Sequence, residues 1–283
     1  MNVNQLTFKL KSIADAAAVP LYQILGRRPW TTGYYSTKRR AIEQAIDTDA
    51  VRPGENLPSS FGVALDERVV EYAWLFGCLR RDEIGGRLLD AGSALNHSFL
   101  LSREPLKRAD LTIMTLAPEK RCQWYDGYSY VFGDLRETFF RDGTFDVVVC
   151  ISTIEHVGLD NTLLYTEDSS RAESDEKGFL RAIREFRRLL KPGAHCYITF
   201  PFGKYANLGW YQIFDGTMVQ SIVDTFSPTN HSVEYFGYTE SGWQRATQKQ
   251  VEDAGAFDVH SGRGRGNDRA ASSRAIACVR LVV

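Results

Sequence analysis

Residues 88–93 read Leu-Leu-Asp-Ala-Gly-Ser, a short apolar run that ends in an aspartate-glycine turn. A second apolar run, at residues 145–151, is followed by Ser-Thr-Ile-Glu-His. Each run has the length of a strand buried on both faces, and each stops where polar residues begin. In open α/β sheets, ligands bind beyond the carboxyl ends of the strands. The two strand ends therefore predict a binding crevice, with Asp90 on one side and His156 on the other.

Strand and helix patterns alternate from residue 87 to the C-terminus, which is typical of α/β folds. Strands are predicted at residues 87–90, 111–115, 129–132, 145–151, 196–200, 257–259 and 273–283. Helices are predicted at residues 176–190 and 243–254, and Pro192-Gly193 is expected to end the first of them. The fold class predicted is α/β: a doubly wound, seven-stranded, mostly parallel sheet whose last two strands form an antiparallel hairpin at the C-terminus.

The residues before the first predicted strand are expected to form a helical attachment with irregular segments. Helices are predicted there at residues 4–18, 37–46 and 66–79. Glycines and aromatic residues at 26–35 predict a loop between the first two.

The composition is that of an ordinary soluble globular protein, with 43% hydrophobic and 24% charged residues among 283. A formal net charge of -1 gives no general attraction to nucleic acids or anionic membranes. No stretch approaches the ~18 apolar residues of a membrane span, and the polar N-terminus does not resemble a signal peptide. The sequence therefore predicts a cytoplasmic protein with no nucleic-acid partner and no membrane span.

The five cysteines are widely spaced and form no Cys-x-x-Cys pair, so neither a zinc site nor a disulfide framework is indicated. They are Cys78, Cys122, Cys150, Cys196 and Cys278. Buried, reduced thiols agree with a cytoplasmic location. No metal site is predicted.

Four stretches, in this order and spacing, resemble the class I S-adenosylmethionine-dependent methyltransferases. They are residues 88–92, Gly133-Asp134, residues 145–157, and residues 189–193 with the strand that follows. The resemblance covers roughly residues 84–283 and looks like bacterial enzymes that modify sugars or cell-surface polysaccharides. It implies S-adenosyl-L-methionine as the cofactor. It also implies a division into an N-terminal cap, residues 1–83, and a methyltransferase domain, residues 84–283, with an acceptor-side insert around 201–240.

The resemblance implies that the first turn binds the methionine part of the cofactor. Asp90 would accept hydrogen bonds from the cofactor's ammonium. Gly92 and Ser93 would form the tight turn that approaches the cofactor, because glycine lets the backbone come close. The ribose would be bound by Thr115, at the end of the second strand, or by Glu119, and the residues leave this choice open.

The adenine and the transferable methyl group are assigned to the next two strand ends. Asp134 resembles the family position whose carboxylate accepts the adenine amino group, and Leu135 would pack on the adenine face. An ordinary loop acid is the alternative interpretation of Asp134. Ser152, with Thr153, is expected below the sulfonium, where the methyl group and its acceptor meet.

Four residues are predicted to act on or contact the acceptor. His156 could take a proton from an acceptor hydroxyl, because a neutral imidazole is available near the working pH; it could instead only shape the pocket. Glu155 beside it is a second catalytic candidate, and the pair could alternatively bind a divalent cation, although no further spaced ligands are visible. Tyr211 and Asp215 are predicted acceptor contacts.

The predicted function is methyl transfer to a hydroxyl oxygen of a small molecule or glycan. A catalytically idle, methyltransferase-like binding module is the alternative, because Ala94 and Asn96 stand where the family's turn has small residues and glycine. A dinucleotide oxidoreductase is a third possibility, but no Gly-x-Gly-x-x-Gly motif follows Asp90.

Overall fold

The computed structural model describes residues 18–24, 26–119, 127–166 and 168–283. The helix predicted at residues 4–18 lies outside these ranges, apart from its last residue, and so does Cys122. The four cysteines within the described ranges are buried and reduced.

An eight-stranded, mostly parallel sheet forms the centre of the molecule. The strands of the chain are β1 (Arg87–Ala91), β2 (Asp110–Thr115), β3 (Ser129–Phe132), β4 (Phe145–Ile151), β5 (Leu190–Pro201), β6 (Ala206–Asn207), β7 (Gln212–Ile213), β8 (Asn230–Thr239), β9 (Gly242–Ala246) and β10 (Ala275–Val282). The order in the main sheet is β3-β2-β1-β4-β5-β10-β8-β9, and β6 pairs with β7 in a separate small sheet. Strands β1 to β5 are parallel, whereas β10 runs antiparallel to both β5 and β8. The predicted fold class is thereby confirmed.

The antiparallel part of the sheet differs from the prediction, and the main sheet has eight strands rather than seven. Residues 257–259 form no strand, and β10 pairs instead with β8. Most of the helix predicted at 243–254 is wrong, since its first residues belong to β9 and only Gln248–Val251 is helical. The cause is a distant contact: Trp243 is buried and its indole donates to the carbonyl of Leu65 at 3.1 Å. The local spacing of apolar residues cannot reveal a contact between residues that are 178 positions apart in the chain.

Helices cover both faces of the sheet. The helices of the described residues are α1 (Val19–Ile24), α2 (Tyr34–Asp47), α3 (Arg68–Arg81), α4 (Ser98–Leu101), α5 (Thr162–Tyr165), α6 (Phe179–Leu189), α7 (Gly216–Phe226) and α8 (Gln248–Val251). Helices α2 and α3 bury their apolar residues in the core on one face, and α6 and α7 do so on the other. Successive side chains of a strand point to opposite faces of its sheet. In β1, Leu88 therefore lies in the core on the first face and Leu89 in the core on the second.

Helix α6 ends at Leu189, before Pro192-Gly193, and β5 begins at the next residue. Pro192-Gly193 therefore lies inside β5, which corrects the prediction that this pair ends the helix. The pair coincides with an irregularity in the strand, because the register against β4 shifts between Phe145 and Val147. Proline is tolerated there because a bulge removes the need for a ladder hydrogen bond.

None of the helices in the described ranges combines the length and the apolar character needed to cross a bilayer. The carboxyl ends of β1, β2 and β4 lie side by side at one edge of the sheet, because these strands are parallel and adjacent. That edge carries the polar residues singled out from the sequence.

Candidate functional site

The turn after β1 packs directly against the first residues after β4. Gly92 has a φ of 116°, and its amide donates to the carbonyl of Met114 at 2.8 Å. A side chain at this position would place its Cβ 2.6 Å from the Cβ of Thr153, and still closer to Oγ1 and Cγ2 of that residue. Only glycine fits this contact, which brings the two predicted sides of the crevice together.

A crevice opens at this contact. It is lined by Gly92, Thr115, Leu116, Gly133, Asp134, Leu135, Arg136, Thr153, His156, Val157, Gly158, Asn161, Tyr165 and Glu173. The structure thus places six of the predicted site residues on one crevice: Gly92, Thr115, Asp134, Leu135, Thr153 and His156. The predicted residues that do not line it include Asp90, Ser93, Ser152, Glu155 and Tyr211.

Asp90 lies below the turn and is fully buried. One carboxylate oxygen, Oδ2, accepts the amide of Leu95 at 2.9 Å, whereas Oδ1 has no hydrogen-bond partner. Burial, with a further contribution from Glu119, raises the pKa of Asp90 to about 7. An ionised carboxylate in such a place is costly unless a donor or cation reaches it. Oδ1 of Asp90 can therefore accept a hydrogen bond from a cationic donor.

Glu119 joins the ends of β1 and β2. Its Oε2 accepts the hydroxyl of Ser93 at 2.9 Å, and its Oε1 accepts the hydroxyl of Thr115 at 3.1 Å. Both hydroxyls are buried, and Ser93 has a positive φ of 62°. The sequence left Thr115 and Glu119 as alternatives for the ribose, but the structure brings their side chains into one hydrogen-bonded group.

Asp134 forms an ion pair at the mouth of the crevice. The guanidinium of Arg136 donates to both of its carboxylate oxygens, at 2.9 and 2.6 Å to Oδ2 and 3.0 Å to Oδ1. The same guanidinium donates to Glu173 at 2.5 and 2.8 Å. Burial alone would raise the pKa of Asp134, but the hydrogen bonds from Arg136 hold it below its ordinary value. Arg136 was not predicted as a site residue from the sequence, although it follows Asp134 by only two positions.

Ser152 points away from the crevice, toward α3. Its hydroxyl donates to Oε1 of Glu71 at 2.6 Å, and the hydroxyl of Thr199 donates to the same oxygen at 2.6 Å. Thr153, the next residue, is the one that lines the crevice. Both residues follow the end of β4, and the positive φ of 36° at Ser152 turns the chain out of the extended conformation there.

His156 is held in one tautomer. Its Nδ1 lies 2.8 Å from the carbonyl oxygen of Trp210, which can only accept, so Nδ1 carries the proton and Nε2 has a free lone pair. Burial lowers the pKa of His156 to about 4. The imidazole ring packs 5.0 Å from the Trp210 ring and 5.9 Å from the Tyr211 ring. His156 is thus a neutral, oriented imidazole at neutral pH.

Glu155 and Tyr211 lie behind His156. Oε1 of Glu155 is 3.9 Å from Nε2 of His156, and its Oε2 is buried without a partner. Burial raises the pKa of Glu155 well above its ordinary value. The hydroxyl of Tyr211 is also buried without a partner. Asp215 caps helix α7, because its side chain accepts the backbone amides of Thr217 and Met218.

The described residues contain no group of three or more His, Cys, Asp or Glu side chains arranged to hold a metal ion.

The chain contains a stretch with a known family signature. Residues 102–198 match the sequence model of a family described as a methyltransferase domain. The match begins after β1 and ends within β5, so it contains β2, β3 and β4 with His156. The match covers about a third of the chain and indicates a methyltransferase domain in that part of it. No curated protein sequence matches the chain significantly.

Several solved structures are similar to this chain at low sequence identity. An N-methyltransferase, NodS, from Bradyrhizobium japonicum in complex with S-adenosylhomocysteine is 14% identical, with a TM-score of 0.43 over 86% of this chain and 98% of that one. The 1,6-didemethyltoxoflavin-N1-methyltransferase of Burkholderia thailandensis is 10% identical, with a TM-score of 0.43 over 98% and 90%. A possible histamine N-methyltransferase of Thermotoga maritima is 13% identical, with a TM-score of 0.39 over 69% and 81%.

Proposed function

We propose that the chain transfers a methyl group from S-adenosylmethionine to a hydroxyl oxygen of a small molecule or glycan, such as a sugar or cell-surface polysaccharide precursor. One observation carries the proposal: the Gly92 turn and Thr153 meet at the crevice that His156 also lines. The antiparallel β10 between β5 and β8 departs from the strand order of dinucleotide-binding sheets, which favours a methyltransferase over an oxidoreductase.

The residues around the crevice fit the cofactor. The unpartnered Oδ1 of Asp90 would accept the ammonium of the methionine part, and the bare backbone of Gly92 admits a close approach. We assign the ribose hydroxyls to Glu119 and Thr115, and the adenine to Leu135 and Asp134. The backbone amide and guanidinium of Arg136 already donate four hydrogen bonds to the Asp134 carboxylate, so the adenine amino group would have to displace part of this ion pair.

The bound cofactor would supply a methyl group already activated on a sulfonium. The chain's own residues then have to hold the acceptor in line with that methyl group and exclude water. Nε2 of His156 would accept the proton that the hydroxyl loses, because it is unprotonated throughout the neutral range. The low pKa makes His156 a weak base, so the proton would move together with the methyl group rather than before it.

The predicted domain division is retained within this proposal. Residues 84–283 would form the methyltransferase domain, and the cap of residues 1–83 would close the acceptor side through α3. Glu71 of α3 already accepts a hydrogen bond from the hydroxyl of Ser152. The acceptor-side insert around 201–240 would contribute Tyr211. The cytoplasmic location and the lack of a nucleic-acid partner stay predictions.

A His156→Asn variant is expected to lower kcat by roughly 10²- to 10⁴-fold, the range of general-base contributions. The asparagine amide can still donate to the Trp210 carbonyl, so the fold and the cofactor affinity should be retained. The measurement is mass-spectrometric detection of methylated product from a panel of nucleotide-sugars and glycans, with fragmentation to identify the methylated atom.

The matched control is His231→Asn, because His231 is exposed on β8. It should behave like the wild type. An unchanged kcat in His156→Asn would refute the role of His156 as the general base. Methylation at carbon or nitrogen in the product of the wild-type protein would refute a hydroxyl as the acceptor group.

A further inference from the structure

A second cavity lies at the opposite edge of the sheet from the crevice. Its volume is about 610 Å³, within the roughly 300–1,000 Å³ of ligand pockets. Gly143, which precedes β4, and Leu190, the first residue of β5, lie in its wall. A strand rises about 3.3 Å per residue, so the seven residues of β4 separate this cavity from the crevice by roughly 20 Å. A ligand bound here is therefore remote from the crevice.

The wall of this cavity is rich in arginine. Arg184, Arg187 and Arg188 of α6 all line it, because residues three and four apart lie on the same side of a helix. Thr225, near the end of α7, adds a hydroxyl. Among the described residues that line the cavity, Asp142 is the only acid. Three cationic side chains thus share this space with one carboxylate.

Arg188 is neutralised within the protein. Its guanidinium donates to Oδ1 of Asp142 at 2.6 Å and to the carboxylate of Glu185 at 2.8 and 2.7 Å. It also donates to the carbonyl of Phe140 at 2.9 Å and to the hydroxyl of Thr138 at 3.0 Å. These bonds use all five of its N–H groups. The two acids that Arg188 holds are therefore already paired.

Arg184 and Arg187 keep their positive charges. Neither forms an ion pair or a side-chain hydrogen bond within the described part of the chain, whereas Arg181 of the same helix pairs with Asp175 at 3.0 Å. The guanidinium of Arg187 lies 6.0 Å from the centre of the Phe226 ring, a contact that orients the cation without neutralising it. Two like charges one helical turn apart repel each other, and an anion bound between them would remove that repulsion.

We propose that this cavity binds a phosphate dianion, either free or carried by a small molecule. Arg184 and Arg187 supply two positive charges and the forked N–H donors that match phosphate oxygens. The hydroxyl of Thr225 has no hydrogen-bond partner among the described residues and can donate to a further oxygen. The volume of the cavity leaves room for a small molecule attached to the phosphate. This site is separate from the crevice, so the inference goes beyond the proposed function and does not depend on it.

The test is a calorimetric titration of the full chain at pH 8 and low ionic strength. Inorganic phosphate, glucose 6-phosphate and glucose are the three probes, and at this pH both phosphate probes are mostly dianions. We expect both to bind and glucose not to bind. Tighter binding of glucose 6-phosphate than of inorganic phosphate would identify an esterified phosphate as the ligand, and the reverse order would identify the free ion.

An Arg187→Gln variant should bind both phosphate probes at least roughly 10-fold more weakly, because a hydrogen bond to a charged group contributes about 1.5–3 kcal/mol. The double variant Arg184→Gln with Arg187→Gln should show no measurable binding. Arg141→Gln is the matched control, because Arg141 is exposed, loses the same charge and lies outside the cavity. It should bind phosphate like the wild type.

Thermal unfolding curves serve as the folding control for all variants. Absence of phosphate binding to the wild type overturns the inference. Phosphate binding that is unchanged in the double variant, or weakened equally in Arg141→Gln, overturns it as well. Failure of S-adenosylmethionine to bind the wild type would instead count against the proposed function, because the cofactor is assigned to the other edge of the sheet.

Discussion

We expect a Gly92→Ala variant to bind the cofactor roughly 100-fold more weakly than the wild type and to unfold more easily. The added Cβ would lie 2.6 Å from the Cβ of Thr153, and alanine is strained at a φ of 116°. Left-handed backbone costs an L-residue about 1–2 kcal/mol, and overpacking typically costs 1–3 kcal/mol. The free energy of unfolding should therefore fall by roughly 2–5 kcal/mol. Denaturant titration and calorimetry measure the two effects.

Two further variants separate the causes. Gly193→Ala has a comparable φ of 76° but nothing within 4 Å of the new Cβ, so it should show the backbone cost alone. Adding Thr153→Gly to Gly92→Ala removes the steric contact and should recover the overpacking part of the loss, about 1–3 kcal/mol, less the cost of the new glycine. If Gly92→Ala binds cofactor like the wild type, the close approach of the two strand ends has no role in binding.

An Asp90→Asn variant is expected to bind the cofactor roughly 100-fold more weakly while its free fold becomes more stable. A pKa raised to about 7 means that the folded protein disfavours the ionised carboxylate of Asp90 by a free energy of roughly 4 kcal/mol. Asparagine removes that penalty, but it leaves one buried amide donor unpaired, which costs about 1–3 kcal/mol. A net gain of about 1–3 kcal/mol is expected at pH 8. Asp253→Asn, at an exposed position, is the control.

The pH dependence follows from the same group. Folded Asp90 titrates near 7 and unfolded aspartate near 3.9, so between these pH values the free fold holds one more proton than the unfolded chain. Its stability should therefore fall as pH rises from about 4 to 7 and level off above. Cofactor affinity should show the opposite trend, weakening about tenfold per pH unit below 7, because an ammonium binds the ionised carboxylate. A pH-independent affinity would contradict the role of Asp90.

The strand ends of the site were predictable because their signal is local. An apolar run followed by Asp-x-Gly, or by Ser-Thr-x-Glu-His, marks where a buried strand stops, and the parallel order of β1, β2 and β4 brings the ends together. The direction of individual side chains was not predictable. Ser152 faces Glu71, which is 81 residues away in the chain, and that contact exists only because α3 packs against β4 and β5.

The antiparallel edge of the sheet shows a second limit. Strands β8 and β9 are partly exposed, so their sequence carries a weaker apolar pattern than β4, which is almost wholly buried. The end of the predicted acceptor-side insert forms β8, residues 230–239, and pairs with β10. Burial on both faces makes a strand easy to recognise, and exposure on one face makes it resemble a helix or a loop.

Calorimetric titration of the purified chain with S-adenosylmethionine tests the central claim most directly. We expect one binding site per chain with a Kd between about 1 μM and 1 mM, the range of ordinary enzyme substrates, and no binding of NAD. Absence of binding at millimolar S-adenosylmethionine would contradict the account.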